Sequence, residues 1–168
     1  MAAKKNQILG NERISGIIKR IAFEIYENNY TAKELAFGGI CKSGLALAGM
    51  IASELREISK IDVFTFMVDM DKTDPAGSEI KLQGMDQDLK GKSLVLVDDV
   101  QNTGKTLAYS LKPFLEMDVA KIETAVLVNR DHTNFPVAPT YTGYELSTTI
   151  DEHILVDLSA NKMSAYLA

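Results

Sequence analysis

The sequence predicts an α/β protein with a mainly parallel sheet flanked by helices. Three observations carry that reading. Apolar runs of strand length recur along the chain, separated by stretches with helical spacing, the pattern of a parallel sheet covered on both faces. The run LVLV at residues 94 to 97 has no polar alternation, so it reads as a strand buried on both sides. It ends in two adjacent acids and a tight polar turn, and such sheets bind their ligands beyond the carboxyl ends of the strands.

The elements follow in order. Ile14, Ile17, Ile18, Ile21, Ala22 and Ile25 form one helical stripe. Asn11 is placed to cap that helix, with Lys19 and Arg20 off the stripe on a solvated face. Residues 34 to 40, ending GlyGlyIle, read as a short strand. Residues 45 to 57 read as a helix through Leu47, Ile51 and Leu55, and residues 61 to 69 as a strand. DKTDPAGS, from Asp71 to Ser78, is a turn-rich loop, and residues 79 to 83 could return as a hairpin arm. A helix from about Thr103 to Met117 should kink or restart at Pro113. Residues 122 to 129 are another buried strand. The short β-like runs 141 to 146 and 153 to 158 read as a small C-terminal hood.

Size and charge bound the function. The chain has 168 residues, 46% hydrophobic and 24% charged, with net charge −5. That is enough for one domain, 1–168, with a substantial core. The acidic balance disfavours nucleic acid or an acidic membrane as main partner, since phosphate neutralisation drives such binding. The single cysteine, Cys41, excludes an internal disulfide and any multi-cysteine metal site. No apolar run approaches the ~20 residues of a spanning helix. The basic start MetAlaAlaLysLys is not followed by a signal-type apolar core, so the expected compartment is the cytoplasm.

Two junctions carry chemistry. In LVLVDDVQNTGKTL, residues 94 to 107, the turn from Gln101 to Lys105 offers backbone N–H groups, the Thr103 and Thr106 hydroxyls and a helix start, which suit a phosphate. Asp98 and Asp99 would repel a phosphate and instead suit sugar hydroxyls or a bridging Mg²⁺. Together they describe a phosphorylated ribose. The stretch is not a Walker A loop, because Asp99 stands where that pattern needs Gly. In GGICKSGLALA, residues 38 to 48, the glycines allow close backbone approach, while Lys42 and a helix start suit a diphosphate. Cys41 reads as a small packed side chain, with no basic partner evident to activate it. The loop DMDKTDPAGSE fails the EF-hand pattern at Asp74 and Ile80 and reads as solvated and mobile.

These residues carry a resemblance. Four apolar residues, two acids and a turn ending Thr-Gly-x-Thr resemble the PRPP-binding motif of type I phosphoribosyltransferases, and residues 38 to 48 resemble their diphosphate loop. In AVLVNRDHTNFPVAPTYTGYEL, residues 125 to 146, Arg130, His132, Pro136 and TyrThrGly narrow the resemblance. It points to the PyrR family of bifunctional uracil phosphoribosyltransferases and pyrimidine-operon regulators, and runs from roughly Ile8 to Ser159.

The resemblance implies the type I phosphoribosyltransferase fold and transfer of the 5-phosphoribosyl group of PRPP to a nucleobase, uracil favoured, with release of diphosphate. It also implies Mg²⁺ and a homodimer. Asp98 and Asp99 would be the catalytic acids, meeting the ribose hydroxyls and Mg²⁺ through water or PRPP. Asn102, Thr103, Gly104, Lys105 and Thr106 would cradle the 5′-phosphate. Cys41, Lys42, Ser43 and Gly44 would face the diphosphate. Asn129, Arg130, Ile150 and Asp151 would contact the base, and the loop after residue 70 would close over the site.

The chain departs from the pattern at Ser43 and Val68, where the PyrR family carries arginines. The sequence leaves open whether Lys72 or Lys81 replaces them. It also leaves open a PRPP- or nucleotide-binding regulator without turnover, an unrelated phosphate-binding α/β protein, and a purine enzyme. GlyTyrGlu at 143 to 145 is similar to the purine enzymes, but Asn102 stands where those have an acid and cannot act as a base. An RNA-binding role needs a basic face, which an acidic chain with few arginines disfavours.

Overall fold

The computed structural model describes residues 5 to 168, so the basic start lies outside the described residues except for Lys5. The chain begins with strand β1 (Asn6–Leu9), helix α1 (Asn11–Asn28), strand β2 (Glu34–Ile40), helix α2 (Cys41–Ile58) and strand β3 (Asp62–Asp69). Next come strands β4 (Lys81–Gln83) and β5 (Ser93–Gln101), then the short helices α3 (Lys105–Ser110) and α4 (Lys112–Leu115). Strands β6 (Lys121–Asn129), β7 (Tyr141–Glu145), β8 (Ile154–Asp157) and β9 (Ser164–Leu167) complete it.

Six strands form the central sheet in the order β4-β3-β2-β5-β6-β7. All neighbours are parallel except the β3–β4 hairpin. The missing alternation in residues 94 to 97 is explained by what lies on each side. Val95 and Val97 pack with Ile21, Leu47 and Ile51 of α1 and α2. Leu94 and Leu96 pack with Leu107 and Phe114 of α3 and α4. Both faces of the strand are therefore core. This sheet with its helical layers is the mainly parallel α/β architecture that the sequence predicts.

Several expectations need correction. Helix α2 begins at Cys41, not at residue 45. No linking loop is needed, because a Cβ on Gly39 would sit 2.3 Å from the Leu45 Cα and one on Gly44 would sit 2.5 Å from the Val97 carbonyl. The bare backbones cross there, and Cys41 takes φ 54° to turn strand into helix. Asn11 does not cap α1. The cap position is Gly10, without a side-chain bond, and the Asn11 Oδ1 instead accepts from the Met163 amide at 3.0 Å. Arg20 is exposed off the stripe as expected, and its guanidinium also donates to the carbonyls of Thr142 and Gly143 at 3.1 and 2.7 Å.

The run 141 to 146 is not part of the hood. As β7 it extends the main sheet beside β6. The hood is a three-stranded antiparallel sheet, β1-β9-β8, so it draws one strand from the start of the described chain and two from its end. Pro113 acts as expected: it lies in the first turn of α4, and the helical segment breaks at Leu111. Among the described residues no helix is long and apolar enough to cross a membrane.

Candidate active site

The carboxyl end of β5 positions the two acids. Asp98 is 2% exposed and Asp99 16%, measured on their side chains. The backbone N–H of Asp99 donates to Asp98 Oδ1 at 3.0 Å. A cation comes from the loop after β3: Lys72 Nζ donates to Asp98 Oδ1 at 2.7 Å and to Asp99 Oδ1 at 3.4 Å. Burial raises the Asp98 pKa to about 7; the nearby Lys72 charge opposes the rise and Asp99 adds to it. Burial alone would lower the Lys72 pKa, but the two carboxylates outweigh it and the net shift is upward.

The turn after β5 is braced from behind. The carbonyl of Thr103 accepts from the amides of Asn134 and Phe135 at 2.9 and 3.1 Å. Gly104 takes φ 81° in the left-handed region with the Phe135 carbonyl 3.3 Å from where a Cβ would be, so a side chain would meet both strain and a wall. The Lys105 amide donates to Thr103 Oγ1 at 3.3 Å. A cleft of about 420 Å³ is lined by Lys72, Asp98, Asp99, residues 100 to 107 and Ile154. It holds both acids and the whole of Asn102, Thr103, Gly104, Lys105 and Thr106.

Cys41, Lys42 and Ser43 lie on a neighbouring open cleft of about 640 Å³ with Met67, Asp69, Lys72 and Gln83. Gly44 is instead buried at the strand crossing. The Cys41 Sγ donates to the Met70 carbonyl at 3.2 Å. Val68 is fully buried among Phe66, Leu96 and Phe114. A guanidinium at this position would therefore enter the core, and the residues of β3 that face the cleft are Met67 and Asp69. Lys81, on the edge strand β4, lies outside both clefts.

The remaining candidates stand apart from the acids. Asn129 and Arg130 are 8% and 7% exposed. Asn129 Oδ1 accepts from the Asp131 amide at 3.3 Å. Arg130 spends its donors on the approach to the hood: Nε on Thr148 Oγ1, Nη2 on the Thr149 carbonyl at 2.6 Å, and Nη1 on Asn102 Oδ1 at 3.4 Å. His132 Nε2 reaches the Thr148 carbonyl at 2.8 Å. Ile150 is 85% exposed, and Asp151 is exposed as well.

Sequence reasoning missed the contact of Lys72 with both acids and the entry of Ile154 into the cleft. No local pattern announces either, because each depends on where a loop or the hood crosses the sheet. Among the described residues no group of three or more His, Cys, Asp or Glu converges. A pair of carboxylates nonetheless suits Mg²⁺ that takes the rest of its shell from water and substrate oxygens, and Asp98 with Asp99 fits that donor set.

The profile of the phosphoribosyl transferase domain family matches residues 4–161. The chain is 34% identical to the bifunctional protein PyrR of Macrococcus caseolyticus over 160 residues, 92% of each chain. It is 34% identical to the bifunctional protein PyrR of Deinococcus radiodurans over 165 residues, 94% of this chain and 90% of that one. Among solved structures, a hypoxanthine-guanine phosphoribosyltransferase from Bacillus anthracis superposes with TM-score 0.75 at 18% identity, over 98% of this chain and 99% of that one. A hypoxanthine phosphoribosyltransferase from Staphylococcus aureus gives 0.73 at 16%, over 89% and 81%. At such identities these two likenesses speak to the fold alone.

Proposed function

The chain belongs to the phosphoribosyl transferase domain family, in its PyrR group, and from that premise we propose that it moves the 5-phosphoribosyl group of PRPP to uracil and releases diphosphate. The observation that carries this reading is the single cleft that joins the acids at the end of β5 to the amide-rich turn from Asn102 to Thr106. The turn holds the 5′-phosphate through backbone N–H groups and the Thr103 and Thr106 hydroxyls. Asp98 and Asp99 hold the ribose hydroxyls and, through water or PRPP, Mg²⁺. When bound, Mg²⁺ offsets the charge of the departing diphosphate.

The protein needs no nucleophile of its own for displacement at ribose C1. Positive charge develops on the ribose in the transition state, so the acids favour it while the turn fixes its orientation. Cys41, Lys42 and Ser43 border the diphosphate. Asn129, Ile150 and Asp151 are proposed to meet the base through the hood. In this reading residues 1–168 act as one domain, in the cytoplasm and as a homodimer. The net charge of −5 disfavours RNA as a partner.

A second reading, a PRPP-binding regulator with little turnover, draws on Ser43, on the inward-facing Val68 and on the acids already paired with Lys72. The deciding experiment measures diphosphate release from PRPP and Mg²⁺ with uracil, hypoxanthine, guanine, xanthine, adenine and orotate in turn. We expect release with uracil, and a drop of roughly a hundredfold or more in Asp98→Asn/Asp99→Asn. Release with a purine alone would replace the uracil reading. PRPP binding without release from any base would leave the regulator.

A further inference from the structure

Lys72 sits where two clefts meet. It lines the PRPP cleft with Asp98 and Asp99, and it also lines the neighbouring cleft with Cys41, Lys42 and Ser43. Among the described residues no other lines both clefts. In the neighbouring cleft Lys42 is the other cation, and Asp69 opposes it. Asp69 Oδ2 is occupied by Gln83 Nε2 at 2.7 Å, so it stays in place facing that cleft.

The loop that carries Lys72 is tied mainly to itself. The Thr73 amide and hydroxyl both donate to Asp71 Oδ1, at 2.8 and 2.6 Å, and the Ser78 amide donates to the Asp74 carbonyl at 3.1 Å. Among the described side-chain hydrogen bonds of residues 71 to 78, those of Lys72 are the ones that leave the loop. Its ammonium stands on a flexible four-carbon stem and binds as a point charge with no fixed direction. It can leave one set of oxygens for another without moving the sheet.

Lys72 holds the Oδ1 atoms of both acids and competes there with a cation or a sugar hydroxyl. Its Nζ at 2.7 Å from Asp98 and 3.4 Å from Asp99 stands against the oxygens that Mg²⁺ or the ribose hydroxyls would use. If they displace the ammonium, the adjoining cleft, which Lys72 already lines, is where a diphosphate would offer it a new anionic partner. We propose that Lys72 is an exchange cation. It pairs with Asp98 and Asp99 in the free protein, yields them to Mg²⁺ and ribose, and crosses to the diphosphate. There it supplies charge that Ser43 does not. The inference rests on the PRPP reading of the site and adds to it the order of events: the leaving group gains its cation only once the ribose side is filled.

The test uses calorimetry with two probes, Mn²⁺ alone and Mg²⁺–diphosphate, on the wild type, Lys72→Met and Asp98→Asn/Asp99→Asn. The exchange predicts opposite signs for Lys72→Met: Mn²⁺ alone binds about tenfold tighter and Mg²⁺–diphosphate about tenfold weaker, each the loss of one partly screened charge contact. A merely structural lysine would weaken both, and a lysine used only for diphosphate would leave Mn²⁺ unchanged; either result overturns the proposal. If the double acid variant loses Mn²⁺ while Lys72→Met matches the wild type, the exchange fails and the site reading survives. If the double acid variant keeps wild-type Mn²⁺ affinity, the site reading fails and the exchange with it.

Discussion

Asp98 shows how much of this site a single residue can decide. It is a carboxylate with 2% of its side chain exposed, and its pKa is pushed up to about 7 from 3.8 by burial first, with Lys72 opposing and Asp99 adding. A folded-state pKa above the unfolded value means that the native state holds this proton more tightly. The associated stability is fully present below pH 3.8 and is lost as the pH rises through about 7. Asp98→Asn removes the titration while keeping the shape. Urea unfolding should therefore show the variant gaining on the wild type as the pH rises across that window, by on the order of 4 kcal/mol. Metal affinity should move the opposite way, because the ionised form becomes dominant only above about pH 7. Mn²⁺ binding should strengthen from pH 6 to pH 8 in the wild type and stay flat in Asp98→Asn. A flat wild-type profile would assign the proton elsewhere.

At the scale of elements, the junction between β2 and α2 is the tightest joint in the fold. The chain turns there without a linker because Gly39 and Gly44 let backbone pass backbone. Gly39→Ala would place a methyl 2.3 Å from the Leu45 Cα, where no flexible side chain can yield. Overpacking of this kind costs roughly 1–3 kcal/mol or more, and it would tilt the start of α2 that carries Cys41 to Ser43. Gly49, farther along α2, has nothing within 4 Å of where a Cβ would stand. Gly49→Ala should stabilise by about 0.5–1 kcal/mol. Denaturant midpoints for the two variants should fall on opposite sides of the wild type, and equal shifts would refute the close-approach account. The glycines are legible in the sequence as a sign of close approach, and so are the cores of α1, β2, β3, β5 and β6, because periodicity and β-branched runs are local signals. The start of α2 is not, since it is set by Leu45 and Val97 across the crossing. The contact of Lys72 with the acids is invisible for the same reason: 26 positions separate Lys72 from Asp98, and only the course of the loop brings them together.

The whole molecule is two sheets that meet over one cleft, and their joining is the least legible feature. Strand β1 pairs with β9, residue 6 opposite residue 167, so the hood closes the ends of the described chain on each other. Four-residue strands give too little alternation to declare such a partner. The run at 141 reads as hood for a related reason: its burial comes from β6 and α1 beside it and not from its own pattern. The hood packs on the core through Leu9, Ala165, Ile154 and Val156, and polar contacts add to this, among them the Met163 amide on Asn11 and the Arg130 guanidinium on Thr148, Thr149 and Asn102. Arg130 is 7% exposed, so its short bonds to Thr148 and Thr149 are charge-assisted and shielded, each contributing about 1.5–3 kcal/mol, and the longer contact to Asn102 adds less. It links the segment before β8 to the PRPP turn, and through Ile154 on β8 the hood forms part of the cleft wall. Arg130→Met keeps bulk and removes those bonds. Deuterium exchange should then rise by roughly tenfold or more across residues 148 to 157 while β5 and β6 stay protected. The KM for the base should rise with PRPP affinity little changed, because the acids and the turn keep their own anchors. Uniform loss of protection would instead make Arg130 a support of the central sheet, and unchanged exchange would mean that the hood is held in place without it.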